Sequence, residues 1–234
     1  MACGLACLLP LTAGAAATVT AGGLSVSGGA FTSNDTATIS AGGLSVSAGS
    51  ATFNAASTIA GGITLSGGTT ALNAANTVSG AVALSGGAVL RLGNVSAAGA
   101  GSFSITNGTL APTMASGTLA NPIVVGSGGA TIANDHPLTL TGAVTGTTNT
   151  LTKSGAGTLT IGSLSTAGTG DGMTVNTSGG TLVFTGTGTK NFGGISTFDG
   201  PVTFDSCTIT LGANTARLAG TGTITTAGTV SINA

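Results

Sequence analysis

Few side chains in this chain are equipped for chemistry, and their spacing limits what they can do. The carboxylates are Asp35, Asp135, Asp171, Asp199 and Asp205, spread over 170 residues, and glutamate is absent. Polysaccharide hydrolases and lyases need clustered carboxylates, arginine or lysine on one face. Trp and Tyr, which stack on sugars, are missing as well, so an enzyme is not expected. His136 is the one histidine and follows Asp135. An Asp-His pair suggests acid–base chemistry, but no nucleophile motif and no second carboxylate lie nearby, and the pair reads as an exposed corner. Cys3 and Cys7 are four residues apart and Cys207 stands alone. Four suitable metal ligands never come together. The cysteines read as small apolar fillers, with one disulfide and a leftover thiol as the alternative. No catalytic residue, metal or cofactor is expected.

Composition narrows the partners. Lys and Arg number four in total and there is no aromatic platform beyond seven Phe, so nucleic-acid binding is not expected. Beyond the N-terminus no run of 18 apolar residues exists, so no membrane-spanning helix is expected. Short strands without aromatic girdles argue against a membrane barrel. Charged residues make up 4% of the chain and the net charge is −1, against about 25% charged in ordinary globular proteins. Such a surface does little to keep copies apart, which favours a polymer or a protein tethered outside a cell. The mean hydropathy of +0.56 and the regular placing of Val, Leu and Ile argue against disorder. The 43 glycines show no three-residue period, which excludes collagen.

The element that must position everything else is a repeat. From Thr18 to Leu92 one unit recurs four times, with Leu24, Leu44, Ile63 and Val82 separated by 20, 19 and 19 residues. Within each unit apolar and small polar residues alternate, as in Leu24-Ser25-Val26-Ser27, which is the period of a strand with one buried face. Gly-Gly or Ala-Gly pairs bound each strand and read as tight corners. About 20 residues per unit is the size of one coil of a β-solenoid. The fold predicted is all-β, a parallel β-helix with about 20 residues per coil. Residues 1–17 form an apolar N-terminal segment and residues 18–234 a single solenoid domain.

The expected inward ladder is Val19, Leu24, Val26, Phe31, Ile39, Leu44, Val46, Phe53, Ile63, Leu65, Val82 and Leu84. Phe31, Phe53, Leu72 and Leu90 are taken as equivalent. Asn34, Asn54, Asn73 and Asn94 recur at spacings of 20, 19 and 21. They suggest either a stacked amide ladder or corner residues tolerant of left-handed backbone.

The rest of the chain keeps the rhythm with less regularity. Residues 1–17 end in an Ala-rich stretch of the kind cleaved by signal peptidase, without a basic leader. They suit a signal-peptide remnant, a plug over the first coil, or an arm donated to a neighbour, and secretion is the favoured context. Over residues 95–150 the inward pairs are Phe103/Ile105, Ile123/Val125 and Leu138/Leu140, with corners at Asn121-Pro122 and His136-Pro137. Beyond residue 185, Phe192, Phe198 and Phe204 fill a wider core, and Ile232 is set one coil after Leu211. The closing stretch from Val230 lies in a strand pattern without a polar cap.

Residues 151–184 carry a resemblance. Leu151-Thr152-Lys153-Ser154-Gly155-Ala156-Gly157-Thr158-Leu159-Thr160-Ile161, then Gly179-Gly180-Thr181-Leu182-Val183-Phe184, resembles the autotransporter-associated β-strand repeat. The resemblance implies a secreted β-helical passenger on a bacterial surface. The spacer 162–178 lacks the aromatic and the Asn-Thr-Tyr element usual there. Gly168-Thr169-Gly170-Asp171-Gly172 faintly resembles a calcium-binding β-roll, which requires stacked aspartates that one copy does not supply.

Three functional classes follow. The leading expectation is a non-enzymatic, extracellular structural subunit that self-assembles by β-stacking into a filament or surface layer, its main partner being itself. The second is an adhesin-like passenger rod on a bacterial surface, meeting host surface or matrix. The third is ice binding through Thr-x-Thr triplets: Thr18-Val19-Thr20, Thr139-Leu140-Thr141, Thr158-Leu159-Thr160, Thr208-Ile209-Thr210 and Thr223-Ile224-Thr225. In sequence these triplets show no single fixed position per coil, and threonine is in any case a good exposed strand residue.

Overall fold

In the computed structural model the chain is all β, with no helix among the described residues and about 20 residues per turn of a parallel β-solenoid. The structure describes residues 5–7, 10–165, 172–211 and 217–233. Asp171, most of the Gly168–Gly172 motif and Cys3 lie outside the described residues. The chain divides into two compact units, residues 1–114 and 115–234.

The first unit is built from strands of two to five residues. One sheet stacks Leu5–Cys7, Leu24–Val26, Leu44–Val46, Ile63–Leu65, Val82–Ser85 and Phe103–Thr106. A second stacks Leu11–Ala13, Ala30–Ser33, Ser50–Phe53, Thr69–Leu72, Val89–Leu92 and Gly108–Pro112. A third stacks Ala17–Val19, Ala37–Ile39, Thr58–Ile59 and Thr77–Val78. Every pairing described is parallel, and each strand pairs with its equivalent one coil away, so Leu24 lies on Leu44, Leu44 on Ile63 and Ile63 on Val82. Backbone groups are thereby satisfied by neighbouring coils, and apolar side chains stack into a column. The corner glycines let this happen. Gly42 has φ +78°, and a Cβ there would stand 2.6 Å from the Gly23 nitrogen one coil away, so no side chain fits between the coils.

Of the expected inward residues, Leu24, Val26, Phe31, Ile39, Leu44, Val46, Phe53, Ile63, Leu65, Val82 and Leu84 are at most 3% exposed, and Val19 is half-buried. The second sheet differs from the sequence expectation in register. Phe31 lies on Ala51 and Ser33 on Phe53, while Phe53 continues to Leu72 and Leu72 to Leu92. Leu90 belongs to the other column, over Thr70. Of Phe31, Phe53, Leu72 and Leu90, Phe53 and Leu72 are therefore equivalent, and Phe31 and Leu90 belong to the other column. Two inward columns run side by side, Phe31, Ala51, Thr70 and Leu90 in one and Ser33, Phe53, Leu72 and Leu92 in the other, and in the first three of these coils a larger residue stands beside a smaller one. The Phe31 and Phe53 rings meet diagonally at 5.4 Å, which fills the interior at close packing without widening any coil.

In the second unit, one sheet stacks Ile123–Val125, Val144–Gly146, Leu164–Ser165, Thr189–Phe192, Thr208–Leu211 and Ser231–Asn233. Another stacks Ala130–Ala133, Thr150–Ser154 and Thr174–Thr177, and a pair joins Ile195–Thr197 to Arg217–Ala219. The remaining sheet stacks Gly117–Leu119, Leu138–Leu140, Thr158–Ile161, Thr181–Phe184, Val202–Asp205 and Ile224–Ala227. Phe184, Phe192, Phe198 and Phe204 form one buried aromatic cluster. Phe184 stacks on Phe204 at 5.2 Å, and Phe192 meets Phe184 edge-on at 5.5 Å, geometries that aromatic quadrupoles favour. Ile232 lies on Ile209 rather than one coil after Leu211, because that coil is longer than the 20-residue period.

Candidate functional site

Asp35, Asp135 and Asp205 each make a separate local contact. Asp35 accepts from its neighbour Thr36 N–H at 2.7 Å, Asp135 from Ala156 N–H at 3.1 Å, and Asp205 from the Ser206 hydroxyl at 2.9 Å. These are corner contacts that satisfy local backbone or hydroxyl donors. His136 is exposed at a corner. Among the described residues no group of three or more His, Cys, Asp or Glu is placed to hold a metal ion.

What the structure does bring together is a set of coil-to-coil polar ladders. Asn54 Nδ2 donates to Asn34 Oδ1 and Asn73 Nδ2 to Asn54 Oδ1, each at 2.8 Å. Three exposed carboxamides at the same corner thus link three successive coils. Asn94 bonds differently, its Oδ1 accepting from Ser96 N–H two residues on at 2.9 Å, an Asx turn. A second ladder is buried, and sequence reading missed it. Ala37 N–H donates to the Ser57 hydroxyl at 3.0 Å, and Ser57 N–H donates to Asn76 Oδ1 at 2.8 Å. Asn76 Nδ2 donates to Ala97 O and Ala74 O at 3.0 Å. The signal in the sequence was the polar residue three places after two of the three ladder asparagines, Ser57 after Asn54 and Asn76 after Asn73, with Ala37 after Asn34.

In the second unit two lysines occupy inward strand positions. Lys153 lies between Ile132 and Thr177, and Lys190 between Leu164 and Ile209. Both are fully buried. Lys153 Nζ donates to Ser154 O at 2.9 Å and Gly155 O at 2.7 Å. Lys190 Nζ donates to Gly162 O at 2.9 Å and Gly188 O at 3.1 Å, with Gly186 O at 3.5 Å. Carbonyls at the corners thus replace water around each ammonium. Burial holds both below the usual lysine pKa, opposed in part by Asp135 near Lys153 and by Cys207 near Lys190. Burial also pushes the Cys207 thiol up, so it is a poor nucleophile at neutral pH. These groups tie coils and corners together.

Ile224–Ala227 and Ser231–Asn233 are edge strands of their sheets. Ile224 is 47% and Ile232 66% exposed, whereas Val202 and Ile209 beneath them are buried.

Comparison of the chain with protein-family models, with curated proteins and with solved structures finds no match.

Proposed function

We propose that this chain is a non-enzymatic extracellular structural subunit, one that self-assembles by coil-on-coil β-stacking into a filament or surface layer. The observation that carries the reading is the parallel stacking of successive coils, each strand pairing with its equivalent one coil away in every pairing described. Strands stacked this way offer their backbone groups to further strands of the same kind. A second copy of the chain is the partner of matching chemistry, because parallel in-register stacking is how the molecule already buries its own coils. The 4% charged composition offers little repulsion between copies. The extracellular or bacterial-surface setting rests on the resemblance over residues 151–184.

That resemblance also supports a second reading, an adhesin-like autotransporter passenger rod facing host surface or matrix. Its residues form Thr150–Ser154, Thr158–Ile161, Thr174–Thr177 and Thr181–Phe184, strands of successive coils. Sedimentation of the full chain over a range of concentrations separates the two readings, with the I224K/I232K variant run alongside. Self-assembly gives concentration-dependent polymers that the variant loses. A monomer at every concentration would overturn the assembly reading and leave the rod.

A further inference from the structure

One residue, Asn107, joins the strand Phe103–Thr106 to the strand Gly108–Pro112 in the first unit. Its φ is +57°, left-handed backbone that asparagine tolerates better than most residues other than glycine. Gly108, which follows, is buried, and a Cβ there would stand 2.7 Å from Leu84 Cβ and 3.4 Å from Ile105 Cγ2. Packing at this position therefore favours the one residue with no Cβ. The fold thus asks for asparagine at 107 because of its backbone and for glycine at 108 because of its size. No other asparagine in the chain is followed by glycine. The other described non-glycine residues with positive φ, Thr148 and Ser206, carry no carboxamide.

The pair that results is chemically reactive. Asn107 is exposed, so water reaches its carboxamide. We infer that Asn107 is a site of spontaneous deamidation, with water as the co-reactant. The Gly108 amide nitrogen gives up its proton and attacks Asn107 Cγ. The Cγ–Nδ2 bond breaks, ammonia leaves, and a succinimide ring closes. Water then adds to one of the two ring carbonyls and opens the ring. Opening at Cγ gives aspartate. Opening at the main-chain carbonyl gives isoaspartate, in which the chain runs through Cγ. The net change is a carboxamide and water converted to a carboxylate and ammonium, with nothing oxidised or reduced. The missing side chain at 108 helps this step too, since a Cβ would crowd the attacking nitrogen.

The coil-to-coil asparagines are placed otherwise. Asn34, Asn54 and Asn73 bond one another, and Asn94 accepts from Ser96 N–H. Each of the four is followed by a residue with a side chain. At Asn107 the backbone sets the pace. Gly87 N–H donates to Asn107 O at 2.7 Å, and Thr109 N–H to Ala88 O at 2.9 Å. Ring closure therefore waits on local opening of this junction and is slower than in the unfolded chain. Isoaspartate is the product with structural consequences. It adds a methylene to the main chain between strands that are registered on the same neighbouring coil, Phe103 on Val82 and Thr109 on Val89. The carbonyl that Gly87 N–H meets leaves the main chain as a carboxylate. Either product adds one negative charge to a chain whose net charge is −1.

The test is fragment-resolved mass spectrometry of folded full-length protein stored at pH 6 and at pH 9, with isoaspartate read by enzymatic methylation. The expected result is a gain of one mass unit at Asn107, faster at pH 9 because the attacking amide must lose its proton. Asn73 and Asn94 are expected to stay unchanged in the same sample, which makes the comparison independent of any variant. Asn107→Gln should abolish the gain, with circular dichroism establishing that it folds. The converted fraction, separated by its added charge on anion exchange, should melt below the unconverted protein. No gain at Asn107, or equal gains at Asn73 and Asn94, overturns the inference. A gain seen only in denatured protein overturns it as well, because the folded junction would then not open. A converted fraction that melts with the parent overturns the register break.

Discussion

Asn76 bridges three coils, and its replacement should be the costliest single polar change in the first unit. Its Oδ1 satisfies Ser57 N–H from the coil before, and its Nδ2 satisfies Ala97 O from the coil after. Asn76 is 6% and Ser57 3% exposed, so Asn76→Ala leaves a buried donor and a buried acceptor with no partner. Each such orphan costs about 1–3 kcal/mol. The third partner, Ala74 O, is part-buried and regains a partner from solvent. The total is about 3–5 kcal/mol, a fall in melting temperature of about 10 °C or more for a unit of this size. The exposed rung Asn73 gives the comparison. Asn73→Ala removes one solvent-accessible amide bond, worth about 0.5–1.5 kcal/mol. Asn76→Asp adds a pH signature. Its second oxygen would face the carbonyls of Ala74 and Ala97, raising the folded carboxyl pKa above about 3.9. Stability then is fully present below that value and is lost as pH rises through the folded pKa. Thermal unfolding by circular dichroism at pH 3 and pH 7 reads both effects. Equal losses for Asn76→Ala and Asn73→Ala, or an Asn76→Asp variant indifferent to pH, would refute the buried-bridge reasoning.

The Thr70 hydroxyl is buried and has no hydrogen-bond partner, so Thr70→Val should stabilise by about 1 kcal/mol, read as a higher urea midpoint. Gly42→Ala forces a side chain into left-handed backbone against Gly23, and should cost about 2–4 kcal/mol. Gly14→Ala, where an added Cβ meets nothing within 4 Å, should be near neutral in the same assay. Lys153 and Lys190 have folded pKa values below the ordinary 10.5, so the unfolded chain binds more protons and stability rises with pH through the lowered pKa toward 10.5. Melting temperature should therefore climb from pH 7 toward pH 10 in the parent relative to Lys153→Met, and parallel pH profiles would contradict the buried-ammonium assignment.

How far the sequence could be read depended on whether a residue's environment was set within one coil or between coils. Leu24-Ser25-Val26 announces a strand with one buried face, and its copies at Leu44 and Ile63 fix the period, because alternation and Gly corners are local. The pairing of Phe31 with Ala51 rather than Phe53 was not legible, since a period of two allows two inward columns and the phenylalanine switches from one column to the other between these coils. Lys153 and Lys190 sat in plain alternation with Leu151 and Phe192. A lysine at an inward position is legible only once the corner carbonyls that receive it are known. Asn34, Asn54 and Asn73 stood out by spacing, whereas Asn76 did not, because its equivalent one coil earlier is Ser57.

The central claim is that the stacking within the molecule continues between molecules, and fibre diffraction from aligned, concentrated full-length protein tests it most directly. End-to-end assembly is expected to give a meridional reflection near 4.8 Å along the filament axis, lost in the I224K/I232K variant. Oriented filaments whose 4.8 Å reflection lies across the axis, or a parent protein that forms no filaments at any concentration, would contradict it.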